Sequence, residues 1–142
     1  MAVTIDYRYP GYIHPLHAVF LAGTIPLFLG AALSDAAYAS TYEIQWSNFA
    51  AWLIAGGLVF GTVALLCALI GLARPTRRHR GGAAYFLVLL ITWVLGIVNA
   101  LVHARDAWAI MPTGLVLSVI VTVLACIAAW LGLRTPRMRE ST

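Results

Sequence analysis

The chain has 142 residues, 62% of them hydrophobic and only 10% charged, against about 25% charged in an ordinary soluble domain. With a mean hydropathy of +0.89, this excludes a soluble globular fold and predicts a single membrane domain over residues 1–142. All nine basic residues are arginine, and the net charge of +4 falls in short clusters beside apolar runs, a pattern of membrane orientation and lipid head groups rather than of nucleic acid.

Residues 1–12 are polar and aromatic: Asp6 and Arg8 cancel, and Tyr7, Tyr9 and Tyr12 suit an interfacial belt. His14-Pro15 reads as a helix start, because proline fits the first helical position, where its missing N–H needs no partner. The first apolar run carries Pro26, which removes a backbone bond to Ala22 and predicts a kink. Ala22, Pro26 and Gly30 then form a narrow stripe for close packing. Ala37-Tyr38-Ala39 has the A-x-A form of a signal-peptide cleavage site. The balanced charges before it and the length of the apolar run argue for a retained span instead.

Residues 34–47 read as the longer loop, with Ser47 or Asn48 capping the second helix. That helix contains Gly57 and Gly61, a GxxxG spacing that admits a close neighbour and suggests a homodimer contact. Residues 74–82 (RPTRRHRGG) form a short basic turn. A third run ends in NALVHARDAW (99–108), and Met111-Pro112 opens a fourth. Cys67 and Cys126 lie within apolar runs and read as small hydrophobes.

Spans of about 14–33, 49–73, 83–103 and 112–133 each match a hydrocarbon core of about 30 Å at ~1.5 Å per residue. The expected architecture is an all-α, up-down-up-down bundle of four membrane helices. Arg8, Arg74, Arg77, Arg78, Arg80, Arg134, Arg137 and Arg139 then share one side with both termini, and the positive-inside rule makes that side cytoplasmic. Asp35, Glu43, Arg105 and Asp106 face the opposite compartment. Trp46, Trp52 and Trp108 mark the outer edge, Tyr85 and Trp130 mark the inner edge, and Trp93 lies deeper as a packing residue.

Three stretches, residues 13–38 (IHPLHAVFLAGTIPLFLGAALSDAAY), 42–57 (YEIQWSNFAAWLIAGG) and 93–112 (WVLGIVNALVHARDAWAIMP), together resemble a family of small four-span bacterial inner-membrane proteins classed as a domain of unknown function. Members open with an HP…H motif, as His14-Pro15 and His17 do here. The resemblance implies a four-helix membrane fold in a bacterial inner membrane. It further implies an association with membrane-anchored quinoprotein sugar or aldehyde dehydrogenases. It brings no catalytic residues with it.

Two constellations carry chemistry. His14 and His17, at i and i+3, share a face near the inner edge where haem or a metal could use them. The plainer reading, which we prefer, has His14 capping the helix and His17 hydrogen-bonding a neighbouring helix or a lipid head group. Within one chain a haem held between His17 and His103 fails on geometry, because the two fall at opposite membrane edges roughly 20 Å apart, and would need two symmetry-related histidines across a dimer instead. Pairing with His79 would place haem at the inner edge, but that stretch reads as a solvated basic loop.

The outer cluster comprises Asp35, Glu43, Gln45, Asn99, His103, Arg105 and Asp106. Asn99, His103 and Asp106 fall at i, i+4 and i+7, one stripe of a helix. A histidine beside carboxylates could bind a divalent metal, relay protons or hydrogen-bond a quinone. Against this stands the structural reading, in which these residues cap helix ends and tie the loop down. Any site there rests on His103, oriented by Asp106 or Asp35, and Asn99 needs a partner inside the bundle.

Nucleophile-elbow, phosphate-loop, CxxCH and HExxH motifs are absent from the sequence, and no repeat between the halves is evident. The expected role is a non-catalytic membrane subunit or docking partner of a periplasmic redox enzyme. Its competitor is an electron carrier binding b-type haem or quinone, and a small transporter or channel is a third option.

Overall fold

A computed structural model describes residues 14–73 and 82–133 of the chain. Within them run four α-helices: α1 (Pro15–Thr41), α2 (Ile44–Ala73), α3 (Gly82–His103) and α4 (Thr113–Leu133), with a 3-10 turn at Ala107–Ala109. All four are long and apolar enough to cross a membrane. The helices pack in ring order, α1 against α2 and α4, and α3 against α2 and α4.

Two hydrogen bonds set α1 against α3 across the bundle. His17 in the first turn of α1 meets Tyr85 in the first turn of α3, and Asp35 near the end of α1 meets His103, the last residue of α3. Both pairs are 68 positions apart, so the two helices keep one register over 18 residues, about 27 Å at helical rise. Burial follows that register. Leu21, Thr24, Phe28, Ala31 and Asp35 are buried on α1, as are Leu89, Thr92, Gly96, Asn99 and His103 at the matching positions of α3.

Small residues let the helices approach. A Cβ on Gly23 would lie 2.5 Å from Phe60 Cδ1, and one on Gly57 would lie 2.6 Å from Phe28 Cε1. Gly57 and Gly61 are buried against helices of their own chain, Gly61 beside Trp93. The close neighbours that this GxxxG spacing admits are thus helices of the same chain. Ala22 and Pro26 are exposed, so the close-packing stripe expected there lies instead along Gly23, Leu27 and Gly30, which meet α2. Two buried hydroxyls return to their own helices: Thr24 donates to the Leu21 carbonyl and Thr92 to that of Val88. Trp93 Nε1–H donates to Thr62 Oγ1 across α3 and α2 at 2.9 Å.

The largest departure from expectation is at residues 34–47. Instead of a loop, α1 continues to Thr41 and α2 starts at Ile44, leaving Tyr42 and Glu43 as the connection. The polar residues that suggested a loop are absorbed by the helix. Ser34 Oγ donates to the Gly30 carbonyl, and Ser40 and Thr41 both donate to Ala37. Asp35 and Tyr38 point inward and are buried. Tyr42 ends the helix in the left-handed region at φ 57°, its N–H donating to the Tyr38 carbonyl. Ser47 therefore lies inside α2 rather than capping it, and Ala37-Tyr38-Ala39 lie within α1.

Candidate polar site between α1, α3 and α4

Four side chains meet inside the bundle near the end that carries the 42–43 and 104–112 connections. Asp35 comes from α1, Asn99 and His103 from α3, and Ser118 from α4. Asp35 and Asn99 are 0% exposed and Ser118 is 1% exposed. His103 Nε2 lies 2.8 Å from Asp35 Oδ1, and the two side chains are 1% and 0% exposed. Ser118 Oγ–H donates to Asp35 Oδ2 at 2.5 Å, and Asn99 Nδ2–H donates to Ser118 Oγ at 2.8 Å. His103 Nδ1 lies 2.9 Å from the backbone carbonyl of Asn99.

The proton inventory follows from these partners. A carbonyl only accepts, so Nδ1 of His103 must carry a hydrogen. One further proton then lies between Nε2 and Asp35 Oδ1. Whether it rests on nitrogen or on oxygen, the pair carries no net charge. That is what makes its burial tolerable, since an uncompensated charge in an apolar bundle is far more costly. Three helices are held by this one neutral unit.

Local structure explains why the residues converge. Asn99 and His103 are one turn apart on the inward face of α3. His103 closes that helix, and Gly114 at the start of α4 lets the imidazole in. A Cβ there would lie 3.0 Å from His103 Cε1 and 2.6 Å from Ile110 Cγ2. Tyr38 Oη–H donates to the Ala107 carbonyl, which ties the 3-10 turn over the site.

Of the residues singled out from sequence, Asp35, Asn99 and His103 come together and the rest of the outer cluster does not join them. Asp106 leaves the expected stripe because α3 stops at His103. Arg105 N–H turns back to the Val102 carbonyl, and Asp106 is exposed ahead of the 3-10 turn, with no side-chain capping bond. The carboxylate that meets His103 is Asp35, not Asp106. Glu43 is exposed in the α1–α2 connection, where it lines a shallow surface groove with Gln45, Trp46 and Phe49. Tyr42 stacks on Trp108 at a ring separation of 6.2 Å beside it. Trp52 and Trp108 are among the most exposed apolar side chains.

At the opposite end, His14 caps α1. Its Nδ1 accepts from Leu16 N–H at 3.3 Å, and Pro15 occupies the first helical position. His17 is buried, with Nε2 2.6 Å from Tyr85 Oη and the rings tilted against each other. Tyr85 thus faces inward, where an interfacial anchor was expected. Cys67 is half-buried and Cys126 exposed, both free thiols. Among the described residues no group of three histidine, cysteine or acidic side chains could hold a metal ion. Tyr7, Arg8, Tyr9, Tyr12, Arg74, Arg77, Arg78, His79, Arg80, Arg134, Arg137 and Arg139 lie outside the described residues.

Sequence reasoning missed Ser118. Its one available signal was height: an isolated serine in the first third of an apolar span, at the depth where Asn99 needed a partner.

A family model described as Predicted membrane protein (DUF2231) matches residues 13–136. No curated protein and no solved structure matches the chain.

Proposed function

The chain belongs to the DUF2231 family of predicted membrane proteins, and from that premise we propose that it is a non-catalytic subunit of the bacterial inner membrane that docks a periplasmic redox enzyme. Its helices cross up-down-up-down, with both termini in the cytoplasm and the two short connections outside. The arginine distribution supports that orientation. One observation carries the docking reading over the carrier reading: both ring nitrogens of His103 are engaged, Nε2 by Asp35 and Nδ1 by Asn99. A haem iron or a quinone oxygen at His103 would have to break the bond that neutralises a buried carboxylate. The polar chemistry is turned inward, and the periplasmic end offers a partner Tyr42, Trp108, Glu43 and Asp106 instead.

Two measurements on the full chain test this. With haem supplied during expression, the reduced-minus-oxidised visible spectrum of purified protein is expected to be flat. A sharp α-band lost in His17→Ala or His103→Ala would establish the carrier reading instead. A photo-crosslinking residue at Trp108 is expected to capture, in cells, a periplasmic enzyme with a bound redox cofactor. Capture no better than from Leu133, at the other end of the bundle, would end the docking proposal.

A further inference from the structure

Glu43 is exposed in the α1–α2 connection and makes no ion pair among the described residues. It lines an open groove with Gln45, Trp46 and Phe49. The groove holds about 270 Å³, many times the ~30 Å³ share of one water. The Trp46 and Phe49 rings lie 6.4 Å apart at 45°, and both are exposed. A carboxylate beside two aromatic rings suits an organic cation, which the charge and the ring quadrupoles attract together. An anion is repelled there. A metal ion would want further oxygen or nitrogen ligands, and the described residues gather no such group.

Helix length sets the depth of the groove. α2 has 30 residues and is about 45 Å long, so it outruns a ~30 Å hydrocarbon core and its ends stand among the lipid head groups. Gln45 and Trp46 belong to its first turn. Further along, Phe49, Trp52 and Val59 are exposed, and their spacing puts them on one side of the helix. The groove thus opens at head-group depth, above an apolar track that runs into the hydrocarbon.

We propose that this groove is a binding site for one molecule of phosphatidylethanolamine. Its ammonium pairs with the Glu43 carboxylate and rests against Trp46 and Phe49, and the Gln45 amide can donate to its phosphate. One acyl chain follows Phe49, Trp52 and Val59. The apolar track selects a lipid over a soluble amine or a basic peptide, neither of which would cover it. A primary ammonium donates hydrogen bonds to the carboxylate, which a quaternary one cannot. An ammonium held there takes Glu43 out of the surface offered to a periplasmic enzyme and leaves Tyr42, Trp108 and Asp106. The site needs only the membrane spans and stands without that enzyme.

Native mass spectrometry of the full chain, titrated in detergent with phosphatidylethanolamine or with phosphatidylglycerol of the same acyl chains, measures the binding of each lipid. Glu43→Gln and Trp46→Ala are each expected to weaken phosphatidylethanolamine binding about two- to fivefold, the worth of an exposed ion pair or cation–π contact. Phosphatidylglycerol binding should not fall in Glu43→Gln, and Asp106→Asn, which removes a charge at the same end, should change neither lipid. Glu43 is exposed and its backbone N–H bonds only to Thr41, so Glu43→Gln leaves the fold intact. Unchanged phosphatidylethanolamine binding in Glu43→Gln overturns the proposal, as does an equal loss of both lipids. Displacement of the lipid by free ethanolamine at the lipid's own concentration also overturns it, and would make the site one for a soluble amine.

Discussion

Asp35 and His103 are 68 positions apart in the chain and 2.8 Å apart in space, and that contact fixes the end of α1 against the end of α3. Because the two buried groups satisfy each other's hydrogen bond and carry no net charge together, the pair should be costlier to halve than to remove. His103→Leu alone leaves Asp35 Oδ1 without its partner, and Asp35→Leu alone strips a partner from both His103 and Ser118, an expected loss of about 3–5 kcal/mol in either case. The double variant, with both replaced, should be more stable than either single variant. Unfolding in detergent measures all three, and additive losses would show that the two side chains do not act together.

At the other end, His17 and Tyr85 make the corresponding contact, and the same asymmetry applies. Tyr85→Phe keeps the ring and leaves a buried imidazole nitrogen without its partner, at a cost of about 1–3 kcal/mol. Adding His17→Leu should return much of that stability. If Tyr85→Phe alone melts like the parent protein, the 2.6 Å contact contributes nothing to the fold.

Gly114 separates a packing requirement from helix propensity. A methyl there meets Ile110 Cγ2 at 2.6 Å and His103 Cε1 at 3.0 Å, and Ile110 is itself buried, so neither neighbour has room to yield. Gly114→Ala should lose about 1–3 kcal/mol through overpacking. Gly71, on α2, has nothing within 4 Å of its would-be Cβ. Gly71→Ala should be neutral or gain up to ~1 kcal/mol from better helix propensity. Equal melting temperatures for the two variants would mean that the α3–α4 turn relaxes freely.

The spans were legible in the sequence because length and apolarity alone define them, and few other structures satisfy the backbone in lipid. The end of α1 was not. Ser34, Asp35, Ser40 and Thr41 are loop residues by composition, yet three of them bond back to carbonyls of their own helix and the fourth is neutralised by a residue from α3. Spacing located Asn99 and His103 on one face, since that relationship is internal to a helix. The same spacing misplaced Asp106, because it assumed a helix running on to residue 106, whereas α3 ends at His103. Ser118 and Tyr85 became partners only through packing between helices, which no spacing within one segment encodes.

Ser118 offers the sharpest local contrast. Its hydroxyl accepts from Asn99 and donates to Asp35, so Ser118→Ala strips a partner from two fully buried side chains on two other helices. Each orphaned group costs about 1–3 kcal/mol. One turn later on α4, Thr122 carries a hydroxyl that donates only to the Ser118 carbonyl of its own helix. Thr122→Val keeps the side-chain shape and should cost less than ~1 kcal/mol. Removing a hydroxyl from α4 is thus expected to matter at one turn and not at the next. Similar losses at both would imply that Asp35 and Asn99 find replacement partners when Ser118 is gone, and the quartet would then be a loose polar cluster rather than a joint between three helices.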